Sequence, residues 1–369
     1  MKVIISGGGT GGHIYPALTI AEQIARLRRD AEILFVGTQH GMEKEIVPRY
    51  GFNIAYIDVA GFKRSLSLDT FTSLYKLFTG LAGAWKLLSD FKPDLVVGTG
   101  GYVCGPVVFL AALKGIPTCV QEQNAIPGIT NKILSRFVRC IFLGYNEAGK
   151  YFPGHSHKVF TGNPIRADIM KTKREDALAS YHLDPQKKTI LVAGGSLGAV
   201  SINTAMLEVE RALSDRDDVQ VLHSTGEKNY DAYIKSLEEK GGVKENIIIK
   251  PYLHDMPLAL AAADLAIFRS GAIGLAELTA RGVPSILIPF PYATANHQEF
   301  NARALEAVGA AKVILDKDLN SEALLEIIEN LLIKQDELKA MQEAARKAGR
   351  PGAAQDIASR ALNLVRSLK

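Results

Sequence analysis

Short apolar runs recur along the chain and alternate with longer segments whose apolar residues sit three and four apart. The runs KVIIS, ILFVG, LVVGT, TCVQE, CIFLG, TILVAG, VQVLHST, IIIKPY, LAIFRS, PSILIP and AKVILD read as strands. Residues 14–29, 70–90, 106–114, 201–213, 229–240, 272–281, 297–308 and 321–347 read as helices. Strands that are apolar throughout, rather than alternating, are buried on both faces, so the pattern predicts α/β architecture with parallel sheets. The unit strand–glycine turn–helix appears twice, in VIISGGGTGGH and in TILVAGGSLGA. Each half therefore reads as its own Rossmann-like domain, with a ligand cleft between the carboxyl ends of their strands. The boundary falls near VFTGNPIRAD, residues 159–168, giving domains over 1–162 and 163–349. GRPGAAQD breaks the last helical pattern, and a final helix follows at 357–368.

The uncharged stretch LVVGTGGYVCGPVVFLAAL, residues 95–113, has the length of a membrane span, but its five glycine and proline residues make it a strand, a glycine loop and a proline-opened helix. MKVIISGGG reaches glycine too soon for the apolar core of a signal peptide. The chain of 369 residues is 47% hydrophobic and 22% charged, with net charge +4. That charge is too mild for a nucleic-acid protein and suits an anionic ligand or membrane surface. Three cysteines without CxxC spacing give neither a disulfide framework nor a zinc site and fit a reducing compartment.

Gly7, Gly9 and Gly12 satisfy G-x-G-x-x-G, but a dinucleotide fold also needs an acid at the end of the second strand. That strand ends in Gly37 and Thr38, which counts against NAD. GTGGYVCGP (98–106) and GGSLGA (194–199) are further glycine turns after predicted strands. Glycines admit a ligand to the backbone, and the helix that follows attracts anions; the plain alternative is tight strand–helix packing. In FRSGAIGLAELTARGVPSILIPFP, a strand ends at Phe268 and a helix starts near Ala272, with its first N–H groups suited to a diphosphate. Glu277, one and a half turns in, either accepts two hydrogen bonds from a ribose diol or is a solvated helix glutamate.

GGTGGH, GTGGYVCGP, QEQN, TGNPIR, GGSLGA, RSGAIGLAE and NHQEFNA stand in the order seen in the MurG family of peptidoglycan glycosyltransferases (glycosyltransferase family 28), which the chain resembles from residue 1 to about residue 310. The resemblance implies a GT-B fold and an inverting enzyme without cofactor or required metal. It would move N-acetylglucosamine from UDP-GlcNAc to the 4-hydroxyl of the muramoyl-pentapeptide on an undecaprenyl diphosphate, turning lipid I into lipid II. It also implies that the end of the chain, 350–369, packs back on the first domain. Carried over by position, Thr10, Gly11 and Gly12 meet the donor-sugar side and Asn124 contacts a sugar. Arg166 and Ser196 bind donor, and the backbone of Leu253 meets uracil. Ala272, Ile273, Gly274, Leu275, Ala276 and Glu277 form the helix for diphosphate and ribose, with Glu277 on the ribose, and Gln298 binds the donor sugar's hydroxyls. The chain departs from the family at Gln121, often His, at Gly274, Thr in some relatives, and at Ala295, where Asp is common.

Inverting transfer needs a base. His13, at the end of the first strand, has an imidazole suited to that role near neutral pH. The alternatives are a His13 that caps the helix or binds phosphate without proton transfer, and, separately, Glu122 as the base. The Asp-x-Asp segments 215–217 and 316–318 read as solvated loops. A lipid acceptor requires an anionic membrane surface, so the protein is expected to be peripheral on the cytoplasmic face of the bacterial cell membrane, with cell-wall and division proteins as further partners and no nucleic acid. On the helix at 71–88, Phe71, Leu74, Phe78, Leu81, Trp85 and Leu88 form a stripe read as core. Tyr75 and Leu77 lie off it, near Lys63, Arg64, Lys76, Lys86 and Lys92, as a candidate docking patch. The main rival is a UDP-GlcNAc 2-epimerase on the same plan; a nucleotide-sugar-binding scaffold without turnover is the second.

Overall fold

The computed structural model describes residues 1–59, 69–195 and 198–366, with the backbone alone described over 69–77. Two compact units form, Met1–Arg166 with Arg350–Lys369, and Ala167–Gly349. In the first, the chain runs β1 (Lys2–Gly7), α1 (Gly11–Leu27), β2 (Glu32–Gly37), α2 (Glu43–Arg49), β3 (Asn53–Tyr56), α3 (Asp69–Phe91), β4 (Leu95–Gly100), α4 (Cys104–Leu113), β5 (Thr118–Glu122), α5 (Ile129–Leu134), β6 (Cys140–Leu143) and β7 (Lys158–Phe160). The second holds α6 (Ala167–Lys171), α7 (Arg174–Tyr181), β8 (Lys188–Ala193), α8 (Val200–Ser214), β9 (Val219–Ser224), α9 (Tyr230–Glu239), β10 (Ile247–Lys250), α10 (Met256–Ala262), β11 (Leu265–Phe268), α11 (Ala272–Arg281), β12 (Ser285–Leu287), α12 (His297–Ala307), β13 (Ala311–Val313), α13 (Ser321–Ile333) and α14 (Gln335–Ala348). The last helix, α15 (Ala353–Arg366), belongs to the first unit.

Among the described residues, the first sheet has the order β3-β2-β1-β4-β5-β6-β7 and the second β10-β9-β8-β11-β12-β13. Every described strand pairing is parallel. In each sheet the direction of winding reverses once, between β1 and β4 and between β8 and β11. A doubly wound sheet leaves its crevice there, because the helices after the two central strands go to opposite faces. The glycine turns of the sequence stand at these points.

The strands are apolar throughout because both faces are covered. In the first unit, Val3, Ile5, Val97 and Phe142 pack with Ile14, Leu18 and Ile20 of α1 and with Ile357, Ala361 and Leu362 of α15. Ile4, Val96, Val120 and Ile141 pack on the other face with Leu88, Val107 and Val108 of α3 and α4. Each such aliphatic side chain, fully buried, contributes about 1.5–3 kcal/mol. A charge at Ile357, which is fully buried on α15, would open that face.

Several expectations are corrected. The 321–347 helix is two helices, broken at Lys334 (φ −86°, ψ 69°). Of the stripe on α3, Leu88 is buried, but Phe78 is 63% and Trp85 52% exposed, so these two are surface residues and not core. The side chains of Phe71, Leu74, Tyr75, Lys76 and Leu77, and residues Lys63 and Arg64, lie outside the described residues. Residues 95–113 form β4, a glycine turn and the ten-residue α4. Among the described residues no helix is long and apolar enough to cross a membrane.

Candidate active site

In the first unit the site is built where β1, β4 and β5 end. After β1 the chain turns through Gly8 and Gly9 (φ +85°) into α1, which begins after Thr10 with neither a side-chain cap nor an acid in its first turn. His13 lies in that turn, half-buried. Its Nδ1 is 3.1 Å from the Gly8 carbonyl oxygen and 3.3 Å from Thr10 Oγ1. A carbonyl only accepts, so Nδ1 carries a proton, and in the neutral ring the lone pair is on Nε2.

The second glycine turn makes room for this ring. A Cβ on Gly100 (φ +106°) would stand 2.8 Å from His13 Cδ2, and one on Gly101 (φ +83°) 2.5 Å from the Gly8 oxygen. Gly100 therefore serves close packing against His13, and Gly101 close packing against the Gly8 backbone. Thr99 Oγ1 donates to the His13 carbonyl at 2.8 Å, and Gln123 Nε2 donates to the Thr99 carbonyl at 2.7 Å, tying α1, β4 and the end of β5 together.

Glu122, at the end of β5, is 1% exposed. One carboxylate oxygen accepts from the Asn124 backbone N–H at 2.9 Å, and the other from the Gly128 N–H at 3.1 Å and Asn131 Nδ2 at 2.9 Å. Burial pushes its pKa up, and these N–H donors pull it back. The carboxylate shapes the loop that carries Asn124. Gln121 is fully buried in an amide network, donating to Asn163 Oδ1 at 2.8 Å and accepting from Gln123 at 2.6 Å. Arg166 stands over the ring of Tyr15, 6.0 Å from its centroid. Thr10, Gly11, Gly12, His13, Glu122 and Asn124 thus share one end of the first sheet, while Arg166 lies against α1.

Sequence reading passed over Glu43. Although β2 ends without an acid, the Glu43 side chain returns to that place from the start of α2, fully buried. It accepts from the Gly9 N–H, the Thr38 N–H and the Thr38 hydroxyl, each at 2.9 Å. These bonds hold its carboxyl below the usual range against the opposing effect of burial. The one visible signal was glycine at 37 and 41, where any Cβ would collide with the Glu43 side chain.

In the second unit, α11 starts after Gly271 with no side-chain cap and no acid in its first turn. Ser270, just before it, is fully buried, and its hydroxyl has no hydrogen-bond partner among the described residues. Its carbonyl accepts from Asn301 Nδ2 at 3.2 Å. Uncapped N–H groups beside a buried hydroxyl suit an anion. Ala272 and Leu275 are buried, Ile273, Gly274 and Ala276 are half-buried, and Glu277 is only 6% exposed, so it is not the solvated glutamate of the plain reading. Gln298 Oε1 accepts from the Phe290 N–H at 3.0 Å, which fixes its amide. Leu253 is buried. Ser196 lies outside the described residues.

In the segment 316–318, Lys317 and Asp318 are exposed as expected, but Asp316 is not a solvated residue. Asp316 is 19% exposed and pairs with Arg269, which also donates to Ser201 Oγ at 2.8 Å. This clamp joins β11, α8 and the chain after β13. The segment 215–217 is at the surface, where Asp215 pairs with Lys244 at 2.8 Å.

The chain matches the glycosyltransferase family 28 N-terminal domain over residues 3–143 and the family 28 C-terminal domain over 189–357. A UDP-N-acetylglucosamine--N-acetylmuramyl-(pentapeptide) pyrophosphoryl-undecaprenol N-acetylglucosamine transferase of Acetivibrio thermocellus is 50% identical over 358 residues, covering 97% of this chain and 96% of that protein. The crystal structure of Acinetobacter baumannii MurG is similar with TM-score 0.79 at 29% identity, over 98% of this chain and 99% of that one. A UDP-GlcNAc 2-epimerase from Neisseria meningitidis is similar with TM-score 0.70 at 15% identity, over 98% of this chain and 100% of that one, a likeness of fold alone.

Proposed function

Because the chain belongs to the MurG family within glycosyltransferase family 28, we propose a division of labour between its two units in the transfer that names its relatives. That transfer carries N-acetylglucosamine from UDP-GlcNAc to N-acetylmuramyl-(pentapeptide) pyrophosphoryl-undecaprenol. The chain is a UDP-GlcNAc-dependent glycosyltransferase, and the epimerase is a neighbour in fold only.

The second unit takes the donor. The first turn of α11 receives the diphosphate, Glu277 the ribose, the Leu253 backbone the uracil and Gln298 the sugar hydroxyls. Ser196 and, from the end of the first unit, Arg166 are donor ligands by position. The first unit takes the acceptor, while its Thr10, Gly11 and Gly12 meet the donor-sugar side and Asn124 contacts a sugar. His13 Nε2 accepts the proton of the muramoyl 4-hydroxyl as that oxygen bonds to the anomeric carbon. The bond from that carbon to the diphosphate oxygen breaks with inversion, and its electron pair leaves on UDP. Fixed N–H dipoles at the α11 N-terminus stabilise the departing charge with little reorganisation.

The observation that carries this reading is the hydrogen bond from His13 Nδ1 to the Gly8 carbonyl, which leaves Nε2 as the basic nitrogen. Glu122, whose two oxygens both accept from loop N–H groups, is left a structural part. A His13→Gln variant should lose transfer by at least about 100-fold, the lower end for a general base, with UDP-GlcNAc affinity unchanged by calorimetry. Transfer within a few-fold of the parent would remove His13 from this role.

The lipid acceptor implies a peripheral enzyme at the cytoplasmic membrane surface, where cell-wall and division proteins would be neighbours. Exposed Phe78 and Trp85, with Lys114 Nζ 3.6 Å from the Trp85 ring centroid, support α3 as part of the docking face.

A further inference from the structure

We propose that Glu43 is a positioning residue for His13, acting through the single peptide unit between Gly8 and Gly9. This rests on the reading of His13 as base. The Gly9 N–H donates to Glu43 Oε2 at 2.9 Å, and the Gly8 carbonyl faces His13 Nδ1 at 3.1 Å. These N–H and C=O groups belong to the same planar amide. A carboxylate on one end and an imidazole N–H on the other form a carboxylate–peptide–histidine relay, with the amide in the middle.

Hydrogen bonds in such a chain polarise one another. A negative charge at the N–H end draws electron density toward the carbonyl oxygen and makes it a stronger acceptor. The stronger acceptor stabilises the imidazolium that forms when Nε2 takes a proton, and it holds the ring and its tautomer between turnovers. The carboxylate is itself fixed by Thr38 at the end of β2. Gly8, Gly37 and Gly41 are packed so closely about it that a Cβ on any of them would come within 2.5 Å of its side chain. Around the ring stand the Gly8 carbonyl, the Thr10 hydroxyl and the Gly100 backbone.

The relay also accounts for the failed dinucleotide pattern. The Gly9 N–H, which a dinucleotide-binding turn would turn toward a phosphate, is taken here by the protein's own carboxylate. The G-x-G-x-x-G loop of this unit is thereby a device for aiming a histidine.

The test is Glu43→Gln, which keeps the shape and removes the charge. The His13 imidazole is titrated by NMR, its signal among the chain's eight histidines assigned by its loss in His13→Gln. Its pKa should fall by about half a unit to one unit, as expected on losing a nearby favourable charge. The acid limb of the kcat profile should move down with it, plateau kcat should fall, and the KM for UDP-GlcNAc should hold. An unmoved His13 pKa overturns the relay. A pKa that falls while the kcat limb stays fixed upholds the relay and overturns His13 as base. Should Glu43→Gln not fold, acid titration of the parent protein replaces it. The Gly9 amide and His13 ring signals should then share an inflection at the Glu43 midpoint, and an inflection at Gly9 alone overturns the relay.

Discussion

Removing the Glu277 carboxylate should weaken UDP-GlcNAc binding by an amount that can be worked out in advance. The side chain is 6% exposed, so water screens it little. It sits on α11 one and a half turns after the uncapped N-terminus, where the proposed donor pose, with its diphosphate at that terminus, puts the ribose. A carboxylate accepting from a diol makes charge-assisted bonds, each worth about 1.5–3 kcal/mol. In Glu277→Ala the hydroxyls recover part of this from water, so the net loss is about 1.5–3 kcal/mol, or roughly 10- to 150-fold in Kd. Calorimetry with UDP-GlcNAc reads this directly. A double-mutant cycle with 2′-deoxy-UDP-GlcNAc isolates the contact: the parent should discriminate between the two donors, and Glu277→Ala should not. An unchanged Kd in a variant with unchanged melting temperature, or full discrimination surviving in it, would refute the role.

Two further predictions concern stability and the membrane. In the second unit, the fully buried Glu210 accepts from Tyr233 OH and faces His223 Nδ1, both at 2.7 Å. Tyr233→Phe leaves one carboxylate oxygen without its donor, so this unit should lose about 1.5–3 kcal/mol, a fall of roughly 3–12 °C in calorimetric melting; a shift under one degree would mean the network relaxes at no cost. On the surface, Lys114→Glu replaces the cation stacked on Trp85. At about 1 kcal/mol per cation near an anionic surface, binding to phosphatidylglycerol vesicles should drop roughly five-fold or more in a sedimentation assay. Unchanged partitioning would move the docking face elsewhere.

Much of this architecture was legible because its signals are local. The β5 and α11 boundaries follow the local signals closely, since TCV is apolar or small before the polar Gln121 and Glu122 that end the strand, and Gly271 and Gly282 bracket the helix. The short edge strand β3 escaped, because its half-exposed residues carry no continuous apolar run. So did α6, α7 and α10, each too short for a helical period to declare itself. The break at Lys334 is invisible because neither glycine nor proline marks it. Phe78 and Trp85 share a helical stripe with Leu88, and periodicity alone cannot say how far a helix extends past its core. In the candidate site, His13 and Glu277 were singled out because glycine turns flag the strand ends that precede them. Glu43 and Asp316 were missed because each reaches a central strand end from a different segment. Only the strand order brings β2 beside β1, and only the tertiary fold carries the chain after β13 past β12 to Arg269 at the end of β11.

The central claim is the transfer itself. Purified protein with UDP-[14C]GlcNAc and a short-chain N-acetylmuramyl-pentapeptide diphosphate lipid, in excess EDTA, should yield labelled disaccharide-lipid in proportion to enzyme, and His13→Gln should yield almost none. UDP release without labelled lipid, or product only after magnesium is restored, would contradict this account of a metal-independent transferase with His13 as its base.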